Sequence, residues 1–389
     1  MRNSEINLLV KPTHECDLMC EYCYDRIEKS KVKNKIITDD LIKEIAIKSC
    51  RAFENVNWIW HGGEPTIAGI DFYKRNIKVI NEIANKYNTN IKFSMQSNGK
   101  NISNNKEFLK ELSNLEINVS LSLDFTNNNI YRSSKEEFNN ILKTVKKNNL
   151  SIINVINKED FENLIYNYKR LENENINFMF NKRFNNYENE ESMNFIINNY
   201  KKYIDFILFE IDDIKDRTIK DIILSVISPE SNKLCTLSNC IGTFININPD
   251  GDIFPCDRYG KSNSKNYNFI NIKDIEFSLL EYLNSDVIKK LIDDNKFFIN
   301  KYCKNKCNAY LFCNSSCKAN RIDKNNNIDL KIKMSEECKF LQEIFGYISS
   351  ILFNLKKSDF LKINNEVYNM LFENNFVTKE MISEIIKEQ

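Results

Sequence analysis

The chain has 389 residues, 42% of them hydrophobic, with 55 basic and 54 acidic side chains and a formal charge of +1. Such a length accommodates two or three domains with sizeable cores. So even a charge balance argues against a general nucleic-acid binder, and no apolar run approaches the roughly 18 residues of a membrane span. The first 31 residues lack the charged, apolar and small-residue succession of an export signal. The expected setting is therefore the cytoplasm, where thiols stay reduced. Twelve cysteines in a reduced chain call for an explanation other than disulfides, and only two histidines, His14 and His61, are available to share it.

Short apolar strands alternate with amphipathic helices from the start. Strands are predicted at Ile6 to Val10, Asn57 to Trp60, Ile91 to Met95, Ile117 to Leu123, Ser151 to Ile156 and Ile176 to Phe180. The fourth is the clearest, because Ile117, Val119, Leu121 and Leu123 alternate with polar residues. Between the first two, Ile42, Ala46, Cys50 and Phe53 recur on one face of a predicted helix. Six such units imply an α/β fold with a parallel sheet curved into a full or partial barrel, whose chemistry lies at the C-terminal ends of the strands.

Each early strand is followed by residues suited to a cofactor. After the first come Cys16, Cys20 and Cys23, spaced C-x3-C-x2-C; after the second, His61-Gly62-Gly63-Glu64-Pro65; after the third, Gln96-Ser97-Asn98-Gly99; and the fourth ends in Ser122-Leu123-Asp124. Three thiols on a short loop can ligate three irons of a cubane cluster and leave the fourth iron open. A structural zinc site wants four ligands, and the nearby His14 falls outside the usual spacing.

A second cysteine group follows. It reads Cys235-x4-Cys240-x15-Cys256, then Cys303-x3-Cys307-x5-Cys313-x3-Cys317, and last Cys338. Residues 243–255 read as two short strands around an Asp250-Gly251 turn, which brings Cys240 and Cys256 together. Eight thiolates make two four-ligand sites, for zinc or for iron–sulfur clusters. Cys50, on the apolar face of its helix, is the one cysteine left over and reads as a small buried thiol. Beyond Cys338, the residues Phe340, Leu341, Ile344, Phe345, Ile348, Ile351 and Leu352 form a helical stripe, and the tail to Gln389 reads as an amphipathic helix.

The cysteine triad followed by Tyr24 resembles the signature of the radical S-adenosylmethionine (radical SAM) superfamily, and the later cysteines resemble its SPASM extension. The resemblance implies a partial (β/α)6 TIM-like barrel over residues 1–225, a cysteine-rich SPASM domain over 226–340 and a terminal helical segment over 341–389. It implies three 4Fe-4S clusters: one at Cys16, Cys20 and Cys23 that binds SAM and cleaves it to a 5′-deoxyadenosyl radical, and two auxiliary ones. By the family's interleaved order, Cys235, Cys240, Cys256 and Cys317 hold the first auxiliary cluster and Cys303, Cys307, Cys313 and Cys338 the second, with Cys235 the ligand whose absence would open an iron. SAM contacts carried over from the family fall on Gly62, Gly63, Glu64, Pro65, Gln96, Ser97, Asn98, Ser122 and Arg132. Where relatives show Asp-Gly-Pro after the fourth strand, this chain has Asp124-Phe125-Thr126, which implies SAM or substrate held somewhat differently.

Asp257, next to Cys256, matches the aspartate that anaerobic sulfatase-maturating enzymes carry as the proposed base. The leading expectation is oxidation of a ribosomally made precursor peptide to a C-C, C-S or C-O cross-link. The alternative is formylglycine formation on a sulfatase, and a more distant one is a zinc-rich binding module without catalysis. The expected partners are a peptide or protein substrate and an electron donor such as flavodoxin or ferredoxin. Because Cys16 leaves little chain before it for a leader-binding domain, recognition of a leader would fall to the C-terminal tail, a separate leader-binding protein or the SPASM surface. The bond formed and the residue modified are not legible.

Overall fold

The computed structural model describes residues 2–374 apart from 26–35, 126–131, 184–188, 232–233, 261–262, 333–334 and 356–361. Thr126, Ile130, Tyr131 and the end of the tail therefore lie outside the described residues. A single sheet carries eight strands, β1 (Asn3–Val10), β2 (Phe53–Trp60), β3 (Asn90–Ser97), β4 (Ile117–Ser122), β5 (Ser151–Ile156), β6 (Phe178–Lys182), β7 (Phe244–Ile247) and β8 (Ile253–Phe254), in the order β6-β5-β4-β3-β2-β1-β7-β8. Strands β1 to β6 pair in parallel, each with the next in sequence. Helices connect them, and the sheet curls into a half-barrel.

The strands are apolar where both faces are covered, as parallel sheets require. Trp58 and Trp60 are fully buried, and the Trp60 ring meets Tyr73 at 5.3 Å and Phe72 at 5.9 Å from the helix Ile70–Tyr87. Boundaries differ from the sequence reading in β3, β4 and β6 by one or two residues at an end, β6 running Phe178–Lys182 rather than Ile176 to Phe180, and the starts of β1 and β2 differ most. Phe53 leaves the helix Asp39–Ala52 and opens β2 in extended geometry, and β1 starts at Asn3. In both cases polar residues on the outer face hide the strand's start from an apolar pattern.

β7 and β8 form the expected hairpin around Gly251, whose φ is +91°. Not foreseen was its place: β7 pairs in parallel with β1, so that the cysteine-rich segment extends the barrel's own sheet. Val10 lies level with Trp60 on one side and Ile247 on the other. Lys11 N–H donates to Ile247 O (3.0 Å) and His61 N–H to Val10 O (3.1 Å), which fixes Lys11 and His61 side by side at the strand ends.

The predicted C-terminal stripe lies on the helix Ser335–Leu352. Phe340, Ile344, Phe345 and Ile348 are buried, and Phe340 meets Tyr200 of the helix Glu190–Phe209 at 5.7 Å. Among the described residues no helix is long and apolar enough to cross a membrane.

Candidate active site

The cysteine loop occupies residues 11–25, directly after β1. It is clamped by the loop after β2: Gly63 N–H donates to Thr13 O (3.0 Å) and Glu64 N–H to Glu15 O (2.6 Å). The two glycines are needed for this contact. A Cβ on Gly63 would stand 2.0 Å from Glu15 O and 2.4 Å from His14 O, and one on Gly62, whose φ is +114°, would stand 2.6 Å from Thr13 O. Their first physical role is thus close approach of two backbones.

Glu64 is turned inward. Its carboxylate, 1% exposed, accepts from Thr66 N (3.0 Å), Thr66 Oγ1 (2.7 Å), Ser97 Oγ (2.9 Å) and Asn98 N (2.7 Å). It ties the β2 loop to the β3 loop, and Ser97 is likewise buried in that tie. Asn98 points the other way, donating from Nδ2 to Asp17 Oδ1 (2.6 Å) and standing 3.7 Å from Cys16 Sγ. Gln96 and Ser122 form a polar row across β3 and β4: Gln96 Nε2 donates to Ser122 Oγ (2.8 Å), and Ser120 Oγ donates to Gln96 Oε1 (2.7 Å).

Arg132 is brought beside the cysteine loop through Tyr22, to whose hydroxyl its Nη1 donates at 3.1 Å. That hydroxyl in turn donates to Asp124 Oδ2, and Asp124 Oδ1 accepts from Val155 N (2.9 Å). Burial pushes the Asp124 carboxyl up, against the pull of Arg132. Burial also raises the Cys20 thiol; Arg132 opposes this, while Cys23, Asp124 and Cys16 add to it. Sequence reasoning missed Tyr22, although its position between Cys20 and Cys23 was a signal. The unusual Phe125 serves the core: it is 1% exposed, its ring meets Phe138 at 5.2 Å, and the Arg170 guanidinium lies 4.8 Å from its centre.

Asp257 sits at the opposite side of the loop, in a chain of charges. Its Oδ1 is 2.7 Å from Lys11 Nζ, and its Oδ2 is 3.1 Å from His61 Nδ1 and accepts from the Tyr24 hydroxyl. Lys11 also reaches Asp25 Oδ1 at 3.2 Å, and Asp25 Oδ2 lies 3.4 Å from His14 Nδ1. Burial works to raise the Asp257 carboxyl, but Lys11 and then His61 prevail and hold it well below the usual carboxylate range. The side chain of Asp257 is 9% exposed, while its partners His61 (25%) and Tyr24 (45%) stand between it and solvent. Lys11 was not expected here, and His61, read only as part of the segment after β2, was not expected beside Asp257; adjacency to the ends of β1 and β2 was the available clue.

All twelve cysteines are free thiols. Cys235, Cys240, Cys256 and Cys317 border one cavity of ≈ 180 Å³, together with Tyr24, His61, Asp257, Arg258 and Lys318. Within this set Cys317 lies in electrostatic reach of the other three. Cys303, Cys307, Cys313 and Cys338 interact among themselves in the same way. Burial, then Cys338, pushes the Cys303 thiol up to about 11. Gln342 Nε2 donates to Cys307 Sγ at 3.1 Å, and Cys338 comes from the helix Ser335–Leu352. Among the described residues no three His, Cys, Asp or Glu side chains converge as a single-ion site. The first four thiols border a space instead, beside buried cations, which fits a thiolate-held group of several atoms such as an iron–sulfur cluster. Cys50 is fully buried in the helix Asp39–Ala52, apart from both sets.

Comparison with known proteins agrees with this layout. The Radical SAM superfamily matches residues 10–171. The chain is 29% identical over 343 residues to the cysteine-type anaerobic sulfatase-maturating enzyme of Clostridium novyi (strain NT), covering 81% of this chain and 88% of that protein. It is 24% identical over 400 residues to the cysteine-type enzyme of Clostridium perfringens (strain ATCC 13124), covering 90% and 98%. The solved structure of native anSMEcpe with bound AdoMet and Cp18Cys peptide shares the fold, with a TM-score of 0.74 at 21% identity over 90% of this chain and 98% of that one. Native anSMEcpe with bound AdoMet gives 0.72 at 20% identity, over 90% and 100%. With the matching domain, a half-barrel of the same fold and the cysteine loop at its rim, residues 10–171 form a radical SAM domain, and the chain as a whole resembles the SPASM-like members of that superfamily.

Proposed function

We propose that this radical SAM enzyme oxidises the β-carbon of a cysteine side chain in a protein substrate, by loss of a hydrogen atom, an electron and a proton, to a thioaldehyde that water hydrolyses to formylglycine with release of hydrogen sulfide, as the activity of the sulfatase-maturating relatives suggests. The carrying observation is Asp257, buried beside the first cysteine-bordered cavity and kept ionised by Lys11 and His61. Similarity to two cysteine-type enzymes over most of both chains supports this reading over the cross-linking of a precursor peptide.

In this reading Cys16, Cys20 and Cys23 hold the SAM-binding cluster, and the eight later cysteines hold two auxiliary ones, Cys235, Cys240, Cys256 and Cys317 the first and Cys303, Cys307, Cys313 and Cys338 the second. When bound, SAM and its cluster supply a hydrogen-abstracting radical, and the auxiliary clusters supply a place for the electron that the substrate gives up. The protein's part is positional. The backbone of Gly62 to Pro65, the Gln96 and Ser122 row, Asn98 and Arg132 hold SAM, while Glu64 and Ser97 keep those loops in register. Asp257 takes the proton lost from the substrate, and Tyr24 and Lys11 hold its two oxygens in place. His61, more exposed than Asp257, passes that proton to solvent.

Residues 1–225 form the barrel unit, 226–340 the cluster-bearing unit, which lends β7 and β8 to the barrel's sheet, and 341–389 the helical segment. A one-electron donor such as flavodoxin or ferredoxin is required, and a reducing compartment such as the cytoplasm suits the free thiols.

The test is anaerobic incubation of the iron-loaded enzyme with SAM, a reductant and a cysteine-containing sulfatase peptide. The expected product is the aldehyde, identified by mass spectrometry and hydrazide trapping. Turnover of SAM with an intact cysteine peptide, and a cross-link on a precursor peptide instead, would overturn the proposal.

A further inference from the structure

Two cations are buried in the cysteine-rich region without a carboxylate partner among the described residues. Lys318 and Arg321 are each 1% exposed. Lys318 Nζ donates to Ser238 O (2.7 Å) and Asn314 O (3.0 Å). Arg321 donates to Asn295 Oδ1 (3.0 Å), Leu330 O (2.8 Å) and Ser315 O (2.5 Å), its guanidinium 3.6 Å from the centre of the Phe298 ring. None of these acceptors is charged. An unpaired charge held out of water is strongly unfavourable, so its compensation must come from elsewhere.

The cysteines supply it, and unequally. Arg258 Nη1 stands 3.8 Å from Cys317 Sγ, with Asn320 Oδ1 at 3.4 Å. Lys318 borders the first cavity beside Cys240 and Cys317 and also reaches Cys313 of the second set. Arg321 reaches Cys303 and Cys338 of the second set and Cys317 of the first. Each set has one side-chain donor on a sulfur, charged Arg258 on Cys317 in the first and neutral Gln342 on Cys307 in the second, so the difference lies in charge: three cations in reach of the first set and two of the second. Net charge around a cluster and hydrogen bonds to its sulfurs are the terms that set its potential.

We propose that Arg258, Lys318 and Arg321 order the reduction potentials of the two groups held by these eight cysteines, so that the first, beside Asp257, is the more readily reduced. Arg258 acts on the first group alone, and Lys318 on both. These are positioning residues whose fixed charge favours an added electron near the carboxylate that takes the proton. The inference rests on the cluster reading above.

The experiment is an EPR-monitored redox titration of full-length, iron-loaded enzyme in a Cys16→Ala/Cys20→Ala/Cys23→Ala background, which leaves only the auxiliary signals. Cys256→Ala and Cys313→Ala assign each signal by its loss. The first group should titrate at the higher potential. R258Q keeps a donor without the charge and should lower the first midpoint alone, R258K should restore it, and K318M should lower both. Unmoved midpoints in fully loaded R258Q, or a second group reduced first in the unmodified site, overturn the inference. If R258Q loads poorly, R258K decides: a wild-type midpoint supports a charge effect, and a lowered one overturns it. Iron and sulfide for a single cluster in the enzyme with all twelve cysteines would overturn the cluster reading itself, a result distinct from unmoved potentials.

Discussion

Lys11 Nζ lies 2.7 Å from Asp257 Oδ1, joining the residue that follows β1 to the residue that follows Cys256. Because β7 pairs with β1, a distant segment delivers its carboxylate to the rim where the cysteine loop begins. The same ammonium holds Asp25 of that loop at 3.2 Å. One cation therefore fixes the proposed base relative to the cysteine loop.

Asp257→Asn should separate the two halves of the reaction. The amide keeps the shape but cannot take a proton, and general-base catalysis is commonly worth about 10²–10⁴-fold. Formation of 5′-deoxyadenosine should continue while aldehyde product falls by roughly 10²-fold or more. The ratio of the two products, read by chromatography, checks this; an unchanged ratio removes Asp257 from the role.

Lys11→Met should act on stability with a definite dependence on pH. In the native chain, Lys11 depresses both Asp257 and Asp25. Their contribution is complete above the unfolded carboxyl value of about 3.9 and is lost only as pH falls through the lower folded values. Without Lys11, two buried carboxylates face each other, and their pKa values should rise. The variant's deficit, about 3–5 kcal/mol for a broken buried pair, should then grow as pH rises from about 5 to about 8. Urea unfolding at both pH values measures it, and a deficit that is flat with pH would contradict the role given to Lys11.

Much of this site was legible because strand, loop and motif repeat in order along one sheet. The six parallel strands and the residues after the first four could be read from apolar alternation and from polar runs at strand ends. What could not be read was contact across distance. Nothing local says that β7 joins β1, that Tyr22 stands between Asp124 and Arg132, or that Lys11 and His61 converge on Asp257. The departure at Phe125 looked like a change in the site, yet its ring is buried against Phe138 and Arg170. A motif names the residues near a cofactor but not which way each side chain turns, as the inward carboxylate of Glu64 illustrates.

Gly63→Ala should damage the cysteine loop before anything else. The new Cβ would meet two backbone carbonyl oxygens, at 2.0 and 2.4 Å, and neither belongs to a flexible side chain that could swing away. The loop must move, and with it Cys16. Iron per chain should fall by about four, the content of one 4Fe-4S cluster, while the signals from the eight later cysteines persist. Full iron loading in this variant would show that the clamp is not needed.

Cys50→Ala should leave iron and sulfide unchanged. The thiol is fully buried in the helix Asp39–Ala52, with burial raising its pKa, and it belongs to neither cysteine set. Loss of a small buried group should cost only about 1 kcal/mol. A drop in iron would mean that the assignment of the other cysteines is incomplete.

Glu64→Ala tests whether the GGEP segment works through its backbone or through this carboxylate. Removal leaves Ser97 Oγ, Asn98 N and the two Thr66 donors without their acceptor in a place closed to water. A buried donor left unsatisfied costs about 1–3 kcal/mol, so even with partial rearrangement the fold should lose roughly 2–4 kcal/mol. Glu64→Gln keeps one acceptor oxygen and should recover part of that loss. If the side chain is a tie between loops, SAM affinity measured by equilibrium dialysis should follow stability across the two variants. If it contacts SAM directly, affinity should collapse in both while stability recovers in the glutamine variant. The four hydrogen bonds to Thr66, Ser97 and Asn98 favour the first outcome, because they leave the carboxylate little capacity for another donor.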